Sequence, residues 1–66
     1  MENIIGHRIR ERRKELKMNQ QTLAKKSNIS RERISAIENG KYKNVLASTL
    51  ASIASALDTN VEFFLT

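Results

Sequence analysis

The sequence predicts an all-α fold of about five short helices. Three observations carry this. Apolar residues recur three and four apart, as in Ile5/Ile9, Ile34/Ile37 and Leu50/Ile53/Ala54/Leu57. Residues that cap helices, Asn19, Ser30 and Asn60, stand just ahead of the later runs. Strand-like alternation and proline are both absent, and Gly6 and Gly40 are the only glycines.

The first helix is expected from Ile4 to Leu16 or Lys17. Ile5, Ile9 and Leu16 fall near one stripe, with Arg8, Arg10, Arg12, Arg13 and Lys14 around it. Asn19 caps a second helix, Gln20 to Lys26, whose inward face is Leu23 and Ala24. Ser27-Asn28-Ile29 forms a turn, where Asn28 tolerates a left-handed backbone and Ile29 points inward. Ser30 caps a third helix, Arg31 to Asn39, buried on the side of Ile34 and Ile37 and ended by Gly40. After the polar loop Lys41-Tyr42-Lys43-Asn44, a fourth helix covers Leu46 to Leu57 and breaks at Asp58-Thr59. Asn60 caps a last short helix, Val61 to Leu65.

At 66 residues the chain holds a single domain with one small core, marginal in stability when alone. Without cysteine there is no disulfide. With one histidine, His7, there is no ligand set for a metal, and no cofactor is expected. The start Met1-Glu2-Asn3-Ile4-Ile5-Gly6 lacks the basic and apolar stretches of a signal peptide. No apolar run approaches the roughly 20 residues of a membrane span, so a cytoplasmic protein without a membrane partner is expected.

Charge is unevenly placed. Residues 1–43 hold all twelve basic residues and five acids, net +7, while residues 44–66 hold two acids, Asp58 and Glu62, and no basic residue. This asymmetry points to one face that meets a polyanion. The same lysines and arginines also fit a merely solvated helix surface.

The second and third helices, about residues 20–39, describe a helix-turn-helix. A helix that enters the major groove needs long hydrogen-bonding side chains in its first turn and an apolar back. Arg31, Glu32 and Arg33 meet the first requirement, Ile34 and Ile37 the second.

In these residues the chain resembles the Cro and phage-repressor type of helix-turn-helix regulators, also called the xenobiotic-response-element family. The matching positions are Ile9-Arg10 and Arg13, Asn19-Gln20 with Leu23-Ala24, Ile29-Ser30, the run Ile34-Ser35-Ala36-Ile37-Glu38-Asn39-Gly40-Lys41, and Ile53-Ala54-Ser55-Ala56-Leu57. The resemblance covers about Ile4 to Leu65 and implies a compact, five-helix, lambda-repressor-like DNA-binding domain. Three features depart from the family: Asn28 and Asp58 stand where it favours glycine, and the loop after Gly40 is about one residue longer and lacks its proline, with Val45 near that position.

The resemblance places Arg31 and Glu32 where the family reads bases. Arg can donate two bonds to guanine, and Glu can accept from cytosine. For Arg31 a phosphate contact stays open. For Glu32 the alternative is a favourable acid near a helix N-terminus. Arg33 and Ser35 are secondary candidates for a base or a phosphate, and Ala36 at most touches a thymine methyl. Gln20 is implied as a phosphate contact at a helix N-terminus. Asn19 and Ser30 combine capping with a phosphate role. By analogy the segment carrying Asn39, Lys41, Lys43 and Asn44 follows the DNA backbone, and Tyr42 either joins it or only covers apolar surface. Arg13 and Glu38 correspond to a structural ion pair of the family.

The expected activity is sequence-specific binding of double-stranded DNA, as a repressor or autoregulator on a palindromic operator. The alternative is an antitoxin that binds a protein partner and represses its own operon, although the chain leaves little room for a toxin-binding segment. An enzyme is a poor reading, because no nucleophile–base pair, metal set or phosphate loop is present. Nonspecific RNA binding lacks the aromatic platform it needs. No small-molecule ligand is expected. A homodimer is expected through Val61, Phe63 and Leu65, since a five-residue helix cannot bury Val61, Phe63, Phe64 and Leu65 on one core. Phe64 is expected to face inward, Val61 and Phe63 the partner.

Overall fold

Five α helices follow one another among the residues that the computed structural model describes, 4–42 and 44–65: α1 Ile4–Glu15, α2 Gln20–Ser27, α3 Arg31–Glu38, α4 Ala47–Ala56 and α5 Val61–Leu65. No strand occurs among them. Type and order agree with the sequence reading, and the differences lie at the ends.

Local chemistry starts three of the helices. Asn19 Oδ1 accepts from the Thr22 N–H at 2.8 Å, Ser30 Oγ from that of Arg33 at 3.2 Å, and Asn60 Oδ1 from that of Phe63 at 3.1 Å. Helix α4 starts differently. Leu46 sits at its N-cap without a side-chain bond, so the helix begins at Ala47 rather than Leu46.

A shared device ends the first four helices. Lys17, Asn28, Gly40 and Asp58 all have left-handed backbones, with φ of 55°, 60°, 73° and 56°. The next residue in each case donates back to a carbonyl five positions earlier: Met18 to Arg13, Ile29 to Ala24, Lys41 to Ala36 and Thr59 to Ala54, at 2.9–3.2 Å. This pairs carbonyls that the helix leaves without partners. Asn28 and Asp58 thus occupy the kind of position that favours glycine.

The motif corrects the expectation for Leu16. The helix stops at Glu15 and the chain reverses at Lys17, so Leu16 is exposed while Met18 packs on the core. Helix α2 instead gains a residue, Ser27, whose buried hydroxyl donates back to the Leu23 carbonyl at 2.7 Å. Helix α3 ends at Glu38 rather than Asn39.

The core takes residues from all five helices: Ile9, Leu23, Ile34, Ile37, Leu50, Ile53 and Ala54, then Leu57 and Phe64. Helix α1 packs on α3 and α5, α2 on α3 and α4, and α4 on α5. Arg12 adds a polar tie, with Nε donating to the Leu57 carbonyl at 3.0 Å and Nη2 to that of Asp58 at 3.2 Å. A cation there also complements the negative C-terminal end of α4. In α5, Phe64 is fully buried, Val61 and Phe63 pack partly on the chain's own core, and Leu65 is 60% exposed.

Candidate nucleic-acid interface

Helix α3 is held from behind. Ile34 and Ile37 anchor it in the core, which turns the opposite side of its first two turns outward. Arg31, Glu32 and Arg33 are exposed there. Gln20, Arg31, Glu32, Ser35, Ala36, Asn39 and Lys41 line one shallow, polar groove along this side. Gln20, the first residue of α2, lines the same groove, so the positive dipole end of that helix lies beside it.

The groove rests on a buried carboxylate. Glu38, in the last turn of α3, has a side chain with 0% exposure. Arg13 holds both its oxygens, Nε to Oε2 at 2.8 Å and Nη2 to Oε1 at 2.9 Å. Gln20 Nε2 donates to Oε1 at 3.2 Å, and Arg10 Nε approaches the same oxygen at 3.5 Å. Burial on its own pushes the Glu38 carboxyl up. The bonds from Arg13, Gln20 and Arg10 and the Arg13 charge outweigh it and hold the group below its ordinary value. The same bonding raises Arg13, against a smaller opposing effect of burial. Arg13 Nη1 also donates to the Met18 carbonyl at 3.0 Å, which ties the end of α1 into the cluster.

Residues 9–64 match the family model described as helix-turn-helix. The chain belongs to the helix-turn-helix family. Over 57 residues it is 44% identical to the immunity repressor protein of Bacillus phage phi105, a match that takes in 86% of this chain and 39% of that repressor's length. Its fold superposes on the biofilm master regulator SinR in a crystal structure with DNA, with a TM-score of 0.89, 31% identity, and 94% and 98% of the two chains covered. The DNA-binding domain of the P22 C2 repressor gives a TM-score of 0.86 with 32% identity, over 98% of this chain and 86% of that one. These relatives are regulators and DNA-binding proteins, and the immunity repressor among them is a phage repressor, the type that the sequence resembles.

Within the helix-turn-helix, several residues singled out in the sequence gather at one place. Arg31, Glu32, Ser35, Gln20, Asn39 and Lys41 share the groove. Arg33 is exposed on α3 but does not line it, and Asn44 lies exposed further along the loop. Asn19 and Ser30 use their oxygens as caps, which leaves the Asn19 NH2 and the Ser30 hydroxyl hydrogen as donors. Gln20 already gives one amide hydrogen to Glu38. Lys43 lies outside the described residues. His7 pairs with Glu11 at 3.1 Å on the exposed side of α1.

Sequence reasoning missed Arg10 and Gln20 as partners of Glu38, and Arg12 as a cap of α4. The one available signal was register: Arg10 and Arg13 are three apart, so they lie on one side of α1. No helix among the described residues is long and apolar enough to cross a membrane.

Proposed function

We infer that this helix-turn-helix chain binds double-stranded DNA sequence-specifically and regulates transcription, as a repressor or autoregulator. The observation that carries this is the two-sided build of α3. Its back is locked into the core by Ile34 and Ile37, and its front presents Arg31, Glu32 and Ser35 in a groove bordered by Lys41, Asn39 and the start of α2. In this reading Arg31 and Glu32 address base edges, with Arg33 and Ser35 beside them. Asn19, Gln20, Ser30, Asn39, Lys41, Lys43 and Asn44 follow the phosphates. The phage repressor, SinR and the P22 C2 domain support it by likeness.

The working form in this proposal is a homodimer on a palindromic site, with two recognition helices about 34 Å apart. The α5 surface, with Leu65 exposed and Val61 and Phe63 half-covered, is the contact. It lies in the part of the chain without basic residues. Selection of duplexes from a random library, followed by sequencing, tests the function. Enrichment of one palindromic motif is the expected result. Recovery of unrelated sequences with equal affinity would contradict specific reading.

A further inference from the structure

Arg10 belongs to the Glu38 cluster, yet the cluster scarcely needs it. Glu38 already takes two short bonds from Arg13 and a third from Gln20, and the Arg10 approach to it is long at 3.5 Å. The shorter contact of Arg10 goes elsewhere, from Nη2 to Asn39 Oδ1 at 2.9 Å. Arg10 is half-exposed, with 38% of its side chain accessible. Asn39 is the first residue beyond α3 and lines the groove beside Arg31, Glu32, Ser35 and Lys41.

The chemistry of this contact sets a direction. A guanidinium carries only donors, so the Asn39 amide must turn its oxygen toward Arg10. Its NH2 then takes the other side, where it lies 3.5 Å from Ser35 Oγ, another groove residue. An asparagine without this constraint would also present its oxygen to the groove, and an oxygen repels phosphate.

We propose that Arg10 is a positioning residue for DNA: it orients the Asn39 amide so that its N–H groups meet a phosphate at the edge of the groove. The proposal rests on the reading of the chain as a duplex-DNA binder. Arg10 acts through Asn39 and is not itself the phosphate ligand.

A double-mutant cycle on DNA affinity tests this, with thermal unfolding of every variant alongside. Wild type, Arg10→Ala, Asn39→Ala and the double variant are titrated against the selected duplex and a random-sequence duplex. Each single change is expected to weaken binding about 3- to 10-fold. The double variant should bind no worse than Asn39→Ala, to within about twofold. Asn39→Asp keeps an acceptor for Arg10 but offers phosphate no donor. Its thermal unfolding shows what an anion at the end of α3 costs in stability, and at a temperature where it is folded it should bind more weakly than Asn39→Ala. Should Arg10→Ala melt below the assay temperature, Arg10→Met, which keeps the apolar stem but has no donor for Asn39, replaces it in the cycle, since Arg13 and Gln20 still hold Glu38. Losses that multiply in the double variant would make Arg10 a phosphate ligand in its own right and overturn the proposal, as would an Arg10 variant of undiminished affinity. A wild type that binds neither duplex is a separate result, which removes the DNA reading itself along with this inference.

Discussion

Arg13 grips both oxygens of Glu38, at 2.8 and 2.9 Å, and so joins α1 to the last turn of α3. The acid is wholly buried and the Arg13 side chain only 11% exposed. Losing one partner strands the other's charge in a poorly solvated site, so Arg13→Ala and Glu38→Ala should each cost about 3–5 kcal/mol. A double-mutant cycle on thermal unfolding should give a double variant far less destabilised than the sum of the two. Small, additive effects would show instead a pair that solvent screens.

The same carboxylate predicts a pH dependence. Its folded-state pKa is lowered. Its contribution is therefore complete above the unfolded value of about 4.3 and is lost as pH falls through the folded one. Wild type should exceed Glu38→Gln in stability by a constant margin from pH 7 to about pH 5, and the margin should shrink below about pH 4. A margin that first shrank between pH 5 and pH 7 would require a raised carboxyl.

Replacing Lys17 by glycine should stabilise the protein. A left-handed φ of 55° costs a residue with a Cβ about 1–2 kcal/mol, which the greater freedom of glycine in the unfolded chain offsets in part. A net gain of up to about 1 kcal/mol, or some 4–8 °C in Tm, is expected. Asn28→Gly should gain less, because asparagine tolerates this region. A Tm lowered by Lys17→Gly would contradict the account of how α1 ends.

Base readers and phosphate contacts should separate in binding selectivity. Arg31→Ala and Glu32→Ala should each lose about 1–3 kcal/mol of discrimination and change the preferred bases. Lys41→Ala should weaken all duplexes alike. The basic front should also give a log–log salt slope of roughly −4 to −7 for a bound dimer. Uniform losses in all three variants, or a slope near zero in gel-shift titrations, would contradict the assignment.

The proposed dimer contact is best probed at Leu65. Phe63 meets Phe64 edge to face with 5.7 Å between centroids and packs on the core, so Phe63→Ala disturbs folding as well as any interface. Leu65 is exposed, and Leu65→Asp should shift a micromolar dimer to monomer in analytical ultracentrifugation without lowering the monomer's stability. A wild type that is monomeric throughout, or a Leu65→Asp dimer of unchanged affinity, would place the contact elsewhere.

What was legible beforehand was local. Caps act over three residues, and the stripes Ile34/Ile37 and Leu50/Ile53/Leu57 follow helical periodicity, so a linear reading recovered the helix order, most of the core and the outward first turn of α3. The link between Arg13 and Glu38 came from family resemblance, not from spacing. Nothing local marks Lys17 as left-handed, because lysine has no preference for that region, and periodicity alone therefore puts Leu16 on the buried stripe, whereas the structure leaves it exposed. The remaining features depend on helices that meet in space. Arg10 reaches Glu38 across 28 positions, Gln20 across 18, and Arg12 reaches the Leu57 carbonyl across 45. Which of several arginines on one helix finds the buried acid depends on how α1 packs against α3 and α5, and that packing arises from the shared core rather than from any short stretch of chain.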